Sequence, residues 1–236
     1  PRLYDLTTLQ RECNRIYGYT EQQTLDNVQS LYEKKLATYP RTDSQYLTED
    51  MQATAASLVL WLREHMPFGK GCTGEPDIDR VMDGSKVTDH HAIIPTVEIA
   101  RTDLSELPSG ERDVLTLIAA RLLSATVQAH RFEAVTAVLD CQGNSFTAKG
   151  KTVLQAGWKE VERLYRMGLK ESKPEDDENM DASLPVLQEG QIFETVSASV
   201  REGKTSPPKH YTEDSLLAAM ETAGAGDMPE DAERKG

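Results

Sequence analysis

The sequence has few cysteines and no long apolar segment. Its three cysteines, Cys13, Cys72 and Cys141, lie about 60 residues apart, with no CxxC pair and no nearby pair of histidines. This spacing excludes a disulfide framework and predicts three reduced thiols without a metal site. No stretch approaches 18 apolar residues, so a membrane span is excluded and no membrane partner is expected. The first residues also lack the pattern of a secretory signal.

Basic residues are fewer than acidic ones. The chain has 26 Lys and Arg against 39 Asp and Glu, a net charge of −13. Such a balance argues against a protein that coats DNA along its whole surface. The acidity is uneven, however, because residues 1–45 are neutral while residues 171–181 hold six acids and one Lys. The acidic run predicts a solvated loop, and the average charge is only a weak objection to a nucleic-acid substrate.

The length of 236 residues predicts one or two domains. The chain begins at Pro1 rather than Met and stops at Gly236 within a charged run. We therefore expect it to be a piece of a longer protein.

Apolar spacing predicts helices in the first half of the chain. Leu6, Leu9, Cys13 and Ile16 recur at intervals of three and four, and Asp5 can cap this helix. The pattern Thr20–Gln23 has the spacing of a capping box and predicts the start of a second helix. Further helices are predicted after Thr48, over 109–128 and over 212–220.

Alternating apolar residues predict strands in the second half. They run over 132–138 and 145–149 around a turn at 142–144, and again over 191–200. The segment 157–165 fits either a helix or a strand. We therefore expect an α+β chain with a helical domain over 1–129, a β-rich segment over 130–209, and the start of a further helical domain over 210–236.

The irregular segment after the second helix carries one candidate for chemistry. It reads Tyr39-Pro40-Arg41-Thr42-Asp43-Ser44. Pro40 keeps Tyr39 out of helical geometry. Tyrosine can form covalent intermediates if a cationic group assists it, and the planar guanidinium of Arg41 suits a phosphate. Without other information, a Tyr before a Pro is more often a packed ring.

A second candidate is the run Asp89-His90-His91-Ala92-Ile93-Ile94-Pro95-Thr96. Histidine can donate to a phosphate or carry a proton. Adjacent histidines point apart, and no third ligand has suitable spacing, so the pattern does not predict a metal site.

Taken together, these segments resemble type IA DNA topoisomerases, and among them the bacterial topoisomerase III branch. The similar stretches are "YDLTTLQRECNRIYGYT", "TLDNVQSLYEKKLATYPRTDS", "DHHAIIPT" and "HYTEDSLLAAMETAG", which occur in this order over nearly the whole chain. In that family the tyrosine segment lies in a winged-helix-like helical domain, and the β-rich segment belongs to the gate domain.

The resemblance implies a mechanism and a set of site residues. Tyr39 would attack one DNA strand and form a 5′-phosphotyrosine, and resealing after strand passage would need no ATP. Arg41 would hold the scissile phosphate. The residues expected to contact DNA or to position the loop are His90, His91, Thr42, Asp43 and Ser44.

The resemblance also implies partners. Mg²⁺ would be bound by a TOPRIM domain that this chain lacks, so the piece alone is expected not to cleave DNA. Its partners would be single-stranded DNA and the remaining domains of its parent protein, in the cytoplasm of a bacterium, with the nucleoid or a plasmid. An incomplete gate domain would expose strand edges, which predicts dimers of the isolated piece.

Two other interpretations compete. A winged-helix DNA-binding module with a purely structural Tyr39 would have little reason to combine the tyrosine segment with the histidine pair. A serine hydrolase would need a pattern such as G-x-S-x-G, which the sequence does not contain.

Overall fold

The computed structural model describes residues 1–169, 184–194, 196–197, 199–200 and 202–223. These residues form two compact units. The first takes in 1–129, 157–169 and 211–223. The second takes in 130–156 and the described residues between 184 and 210.

The first unit is helical. Its α-helices are α1 (Leu6–Tyr17), α2 (Glu21–Glu33), α3 (Gln52–His65), α4 (Ser109–Thr126), α5 (Trp158–Met167) and α6 (Glu213–Thr222). Short 3₁₀ turns fill the connections between α3 and α4. No helix among the described residues is both long and apolar enough to cross a lipid bilayer.

Helix α4 lies at the centre of this unit. Twelve of its residues are buried, and they are distributed around the whole helix rather than along one stripe. A helix that is apolar on all sides must be surrounded by other elements. Helices α2, α3 and α5 all pack against α4.

Two predicted helix starts are confirmed in detail. The Asp5 carboxylate accepts a hydrogen bond from the backbone N–H of Thr8 at 2.7 Å and caps α1. Thr20 and Gln23 form both halves of a capping box at the start of α2. The helix expected after Thr48 begins with a 3₁₀ turn over Glu49–Met51, and the Thr48 side chain makes no capping bond.

In the part of the second unit that the structure describes, there is one antiparallel hairpin. Its strands are β1 (Arg131–Cys141) and β2 (Asn144–Gln155), joined by a two-residue turn. Both turn residues have positive φ, 52° at Gln142 and 82° at Gly143, as a tight hairpin turn requires. The predicted hairpin is thus confirmed.

The structure corrects the expectation of strands elsewhere. None of the described residues between 191 and 200 lies in a strand, so that prediction was wrong. Helix α5 occupies most of the ambiguous segment and belongs to the helical unit. At Gly157, where β2 leads into α5, φ is 55° and a Cβ would stand 2.4 Å from the Ala129 carbonyl oxygen. The acidic run 171–181 lies outside the described residues.

The described residues therefore form a mixed fold of helices and one two-stranded sheet. Residues 1–129 contain three isolated bridges in place of the strands of a wing: Tyr4–Ile93, Ala37–Pro95 and Leu47–Met82, the first two antiparallel and the last parallel. The winged-helix description of this region is not confirmed.

Candidate active site

The backbone turn at the end of α2 positions Tyr39. Lys35 has a φ of 61°, the left-handed conformation that reverses a chain at the end of a helix. The next residues run beside the segment after the histidine pair, with Ala37 bridged to Pro95. The backbone N–H of Thr38 donates to the Ile94 carbonyl oxygen at 3.0 Å. Tyr39 is therefore held at the end of a short paired segment.

The hydroxyl of Thr38 strengthens this pairing. It donates to the Ala92 carbonyl oxygen at 3.2 Å and accepts from the Ile94 N–H at 3.0 Å. Nothing in the sequence pattern singled out Thr38, because its partners lie more than 50 residues away.

Tyr39 and His90 are in contact. Their ring centroids are 4.3 Å apart, with the ring planes tilted by 44°. The Tyr39 ring also makes an edge-to-face contact with the ring of Tyr32, with the centroids 5.4 Å apart. Tyr39 is half-buried and His90 is exposed, so solvent has access to this pair. Tyr32, on α2, is a second residue that sequence reasoning did not assign to the site.

Two charged residues of the tyrosine segment face solvent. Pro40 is buried, whereas Arg41 and Asp43 are exposed. No carboxylate among the described residues pairs with Arg41, so its guanidinium is available to a ligand. The Thr88 hydroxyl donates to Asp43 Oδ1 at 3.4 Å, a long contact.

Thr42 and Ser44 are buried, and their hydroxyls are used inside the protein. The Thr42 hydroxyl donates to the His90 carbonyl oxygen at 2.7 Å and accepts from the Ser44 N–H at 3.1 Å. The Ser44 hydroxyl donates to the Lys86 carbonyl oxygen at 2.8 Å. These bonds join the tyrosine segment to the segment that leads to the histidines.

His91 is oriented differently from His90. Its Nδ1 lies 2.8 Å from the Ala92 carbonyl oxygen, which can only accept, so this nitrogen carries the proton. His91 is half-buried and makes no ring contact with Tyr39 among the described residues.

The described residues offer no group of three or more His, Cys, Asp or Glu side chains that could hold a metal ion. They do not fit a Mg²⁺ site, which needs carboxylate and other oxygen ligands in octahedral geometry.

Comparison with solved structures identifies proteins of similar fold. The structure is similar to that of full-length topoisomerase I from Thermotoga maritima, with a TM-score of 0.59 and 22% sequence identity. The match covers 95% of this chain and 35% of that one. At this identity the likeness shows the fold alone.

Sequence comparison then gives the family. The model of the DNA topoisomerase family matches residues 1–228. The chain is 38% identical to DNA topoisomerase 3 of Bacillus subtilis over 231 residues, and 36% identical to that of Bacillus licheniformis. It therefore belongs to the type IA DNA topoisomerases and is similar to their bacterial topoisomerase 3 members.

These matches cover 95% of this chain but only 31% and 30% of the two relatives. The chain thus spans about a third of the length of the curated relatives that it matches.

Proposed function

We propose that this chain carries the nucleophile of a type IA topoisomerase, which cuts and reseals one DNA strand through Tyr39. The observation that carries the proposal is the contact between Tyr39 and His90, with the exposed Arg41 two residues beyond the tyrosine. A ring that was only packed would not need an imidazole in contact with it, and Arg41 is exposed with no carboxylate partner among the described residues.

The reaction is a transesterification. The Tyr39 hydroxyl oxygen attacks the phosphorus of a phosphodiester and loses its proton. The bond from phosphorus to the 3′ oxygen breaks, and that oxygen takes up a proton. The 5′ phosphate remains on Tyr39, and the reverse reaction restores the strand after another strand has passed. One phosphate ester replaces another, so ATP is not required.

The surrounding residues divide into two groups. Arg41 would bind the non-bridging phosphate oxygens with its planar fork, which is the geometry that Arg offers a phosphate. His90 would contact the same phosphate beside Tyr39, while His91 and Asp43 would contact the flanking DNA backbone. Thr42 and Ser44, which are buried, would act as positioning residues.

Several finer features belong to the same proposal. The helical unit would be the winged-helix-like catalytic domain, the hairpin part of the gate domain, and α6 the start of the base domain. A TOPRIM domain that binds Mg²⁺ would come from the rest of the parent protein. We expect the chain alone to be inactive and the enzyme to work on single-stranded DNA in the bacterial cytoplasm.

The test is trapping of a covalent adduct. The chain is mixed with the TOPRIM-bearing remainder of its own topoisomerase, Mg²⁺ and a single-stranded oligonucleotide labelled on the side that stays attached. Denaturant is then added. A labelled protein band is expected, and Tyr39→Phe should abolish it because the phenyl ring has no oxygen to attack phosphorus.

Tyr32→Phe is the matched control, since Tyr32 touches Tyr39 and loses only its own hydroxyl. It should retain the band. A band that persists in Tyr39→Phe would assign the nucleophile to another residue. No band despite normal oligonucleotide binding by the assembled protein would favour the alternative of a DNA-binding module with a structural Tyr39.

A further inference from the structure

An arginine-rich cavity lies in the helical unit, apart from the Tyr39–His90 contact. Its volume is about 340 Å³, near the lower end of the range for small-ligand sites. Its charged lining consists of Arg2, Arg11, Arg15, Glu12, Arg121 and Asp214. Four cations against two carboxylates make a positive region in a chain whose net charge is −13.

Arg121 is held rigidly in this cavity. Its guanidinium lies 4.5 Å from the centroid of the Tyr4 ring and donates to the Tyr4 hydroxyl at 3.0 Å. It also pairs with Glu12, whose other carboxylate oxygen accepts from Arg15 at 3.0 Å. Glu12 therefore holds two of the four arginines at fixed positions in the lining.

The other two arginines differ in their partners. Arg2 is exposed, and no carboxylate among the described residues pairs with it. Arg11 is paired with two acids of α6, Asp214 at 2.9 Å and Glu221 at 3.2 Å. None of the described residues of α6 is buried, and these ion pairs join α6 to α1.

The cavity adjoins both segments of the candidate active site. Gln45, which follows Ser44 directly, lines it, and so does Tyr4. The Leu6 N–H donates to the Thr42 carbonyl oxygen at 3.1 Å, and the Ile93 N–H donates to the Tyr4 carbonyl oxygen at 2.8 Å. Backbone hydrogen bonds thus connect residues at the cavity to both the tyrosine segment and the segment after the histidines.

We propose that this cavity binds a phosphodiester group of the same single strand that Tyr39 would cleave, a few nucleotides from the cut. This inference rests on the proposed function. Arg2 and Arg15 bind the phosphate at the rim of the cavity, and Arg121 adds positive charge deeper inside it. The phosphate competes with Asp214 for Arg11. Asp214 then acts as an internal carboxylate that the strand displaces.

Binding of a fluorescent twelve-nucleotide oligothymidylate to the full chain tests the proposal, with Tyr39→Phe present throughout so that cleavage plays no part. The cavity variant is Arg2→Gln with Arg15→Gln, both at exposed positions. The control is Arg101→Gln with Arg163→Gln, which removes the same charge from two exposed arginines outside the cavity. Circular dichroism checks that both variants are folded.

We expect the cavity variant to weaken binding about tenfold at low salt. The slope of log affinity against log salt should fall in magnitude by about 0.7 for each phosphate that the arginines no longer neutralise. Asp214→Asn should tighten binding, because it removes the competing carboxylate. Equal affinities and salt slopes for the cavity and control variants would overturn the proposal. So would displacement of the oligonucleotide by thymidine monophosphate at low micromolar concentration, which would assign the cavity to a free nucleotide.

The two proposals fail separately. If an adduct forms on Tyr39 but the cavity variant has no effect on binding, only the proposal for the cavity is rejected. If the cavity variant binds more weakly but the assembled protein forms no adduct, the cavity still binds the strand and Tyr39 is not the nucleophile.

Discussion

At Thr42 a single hydroxyl connects the two segments that carry the candidate site. It donates to the His90 carbonyl oxygen and accepts from the Ser44 N–H, and the residue is 8% exposed. Loss of this hydroxyl would leave a buried N–H and a carbonyl oxygen without their hydrogen-bond partners. It would also loosen the link between the two backbone segments, whose positions determine the ring contact between Tyr39 and His90.

We therefore predict that Thr42→Val lowers the free energy of unfolding by about 1–3 kcal/mol, the cost of leaving buried polar groups unpaired. It should also lower the yield of the Tyr39 adduct. Thr42→Ser retains the hydroxyl and should recover most of both. Urea unfolding and the adduct assay measure the two effects. An adduct yield that is equally low in Thr42→Ser would contradict the role of the hydroxyl.

Cys13 gives a prediction about pH. Burial raises the pKa of its thiol from 9.0 to about 12, since a thiolate would lose its hydration inside the core. The folded chain therefore keeps the proton at a pH where the unfolded chain loses it. Stability from this group is complete below pH 9 and falls as the pH rises toward 12.

Above pH 9 the loss approaches about 1.4 kcal/mol per pH unit for this one proton. Cys13→Ala should flatten the decline between pH 9 and 10, measured by urea unfolding at a series of pH values. Cys141→Ala is the matched variant because that thiol is exposed. The same slope in Cys13→Ala as in the unaltered chain would show that other groups cause the decline.

Among the secondary-structure elements, α2 and α3 differ in how they begin. Thr20 makes a full capping box, while the Thr48 side chain makes no capping bond. We predict that Thr20→Ala costs about 1 kcal/mol of stability, the usual value for a lost cap. Thr48→Ala should cost clearly less. Thermal or urea unfolding of the two variants tests this, and equal losses would mean that the capping bond of Thr20 contributes little.

The elements that sequence could predict are those defined by local chemistry. Asp5, Thr20 and Thr212 mark helix starts with side chains that bond within the next three residues. The hairpin turn at 142–143 is equally local. The strand expected over 191–200 failed because alternation alone does not supply a neighbouring strand to bond with.

The candidate site shows a different limit. Spacing could place Tyr39 on a constrained loop, but its contact with His90 depends on pairing between segments 51 residues apart. Only the family resemblance suggested that the two motifs act together. Thr38 had no local signal, since its partners Ala92 and Ile94 lie more than 50 residues further along the chain. The arginine cavity had none either, since its charged lining comes from the N-terminal residues and from α1, α4 and α6.

At the scale of the whole molecule, the hairpin stands out because it exposes large apolar side chains to solvent. Large apolar side chains are exposed on both of its faces: Phe132, Val135, Val138, Phe146, Val153 and Leu154. In the register of the two strands, Phe132 and Val138 share one face while Val135 and Leu139 share the other. A two-stranded hairpin of this kind is marginally stable unless it is covered.

We predict that the isolated chain self-associates through this hairpin at high concentration, because exposed apolar surface on a strand pair favours pairing with another copy. Val138 is 69% exposed, so Val138→Lys removes little packing within the chain and adds a charge to the surface. It should shift sedimentation velocity profiles toward the monomer. Leu60→Lys, at an exposed position on α3, is the control and should leave association unchanged. A monomer mass for the unaltered chain across the whole concentration series would show that the hairpin does not pair. Loss of association in both variants would assign it to a surface shared with α3.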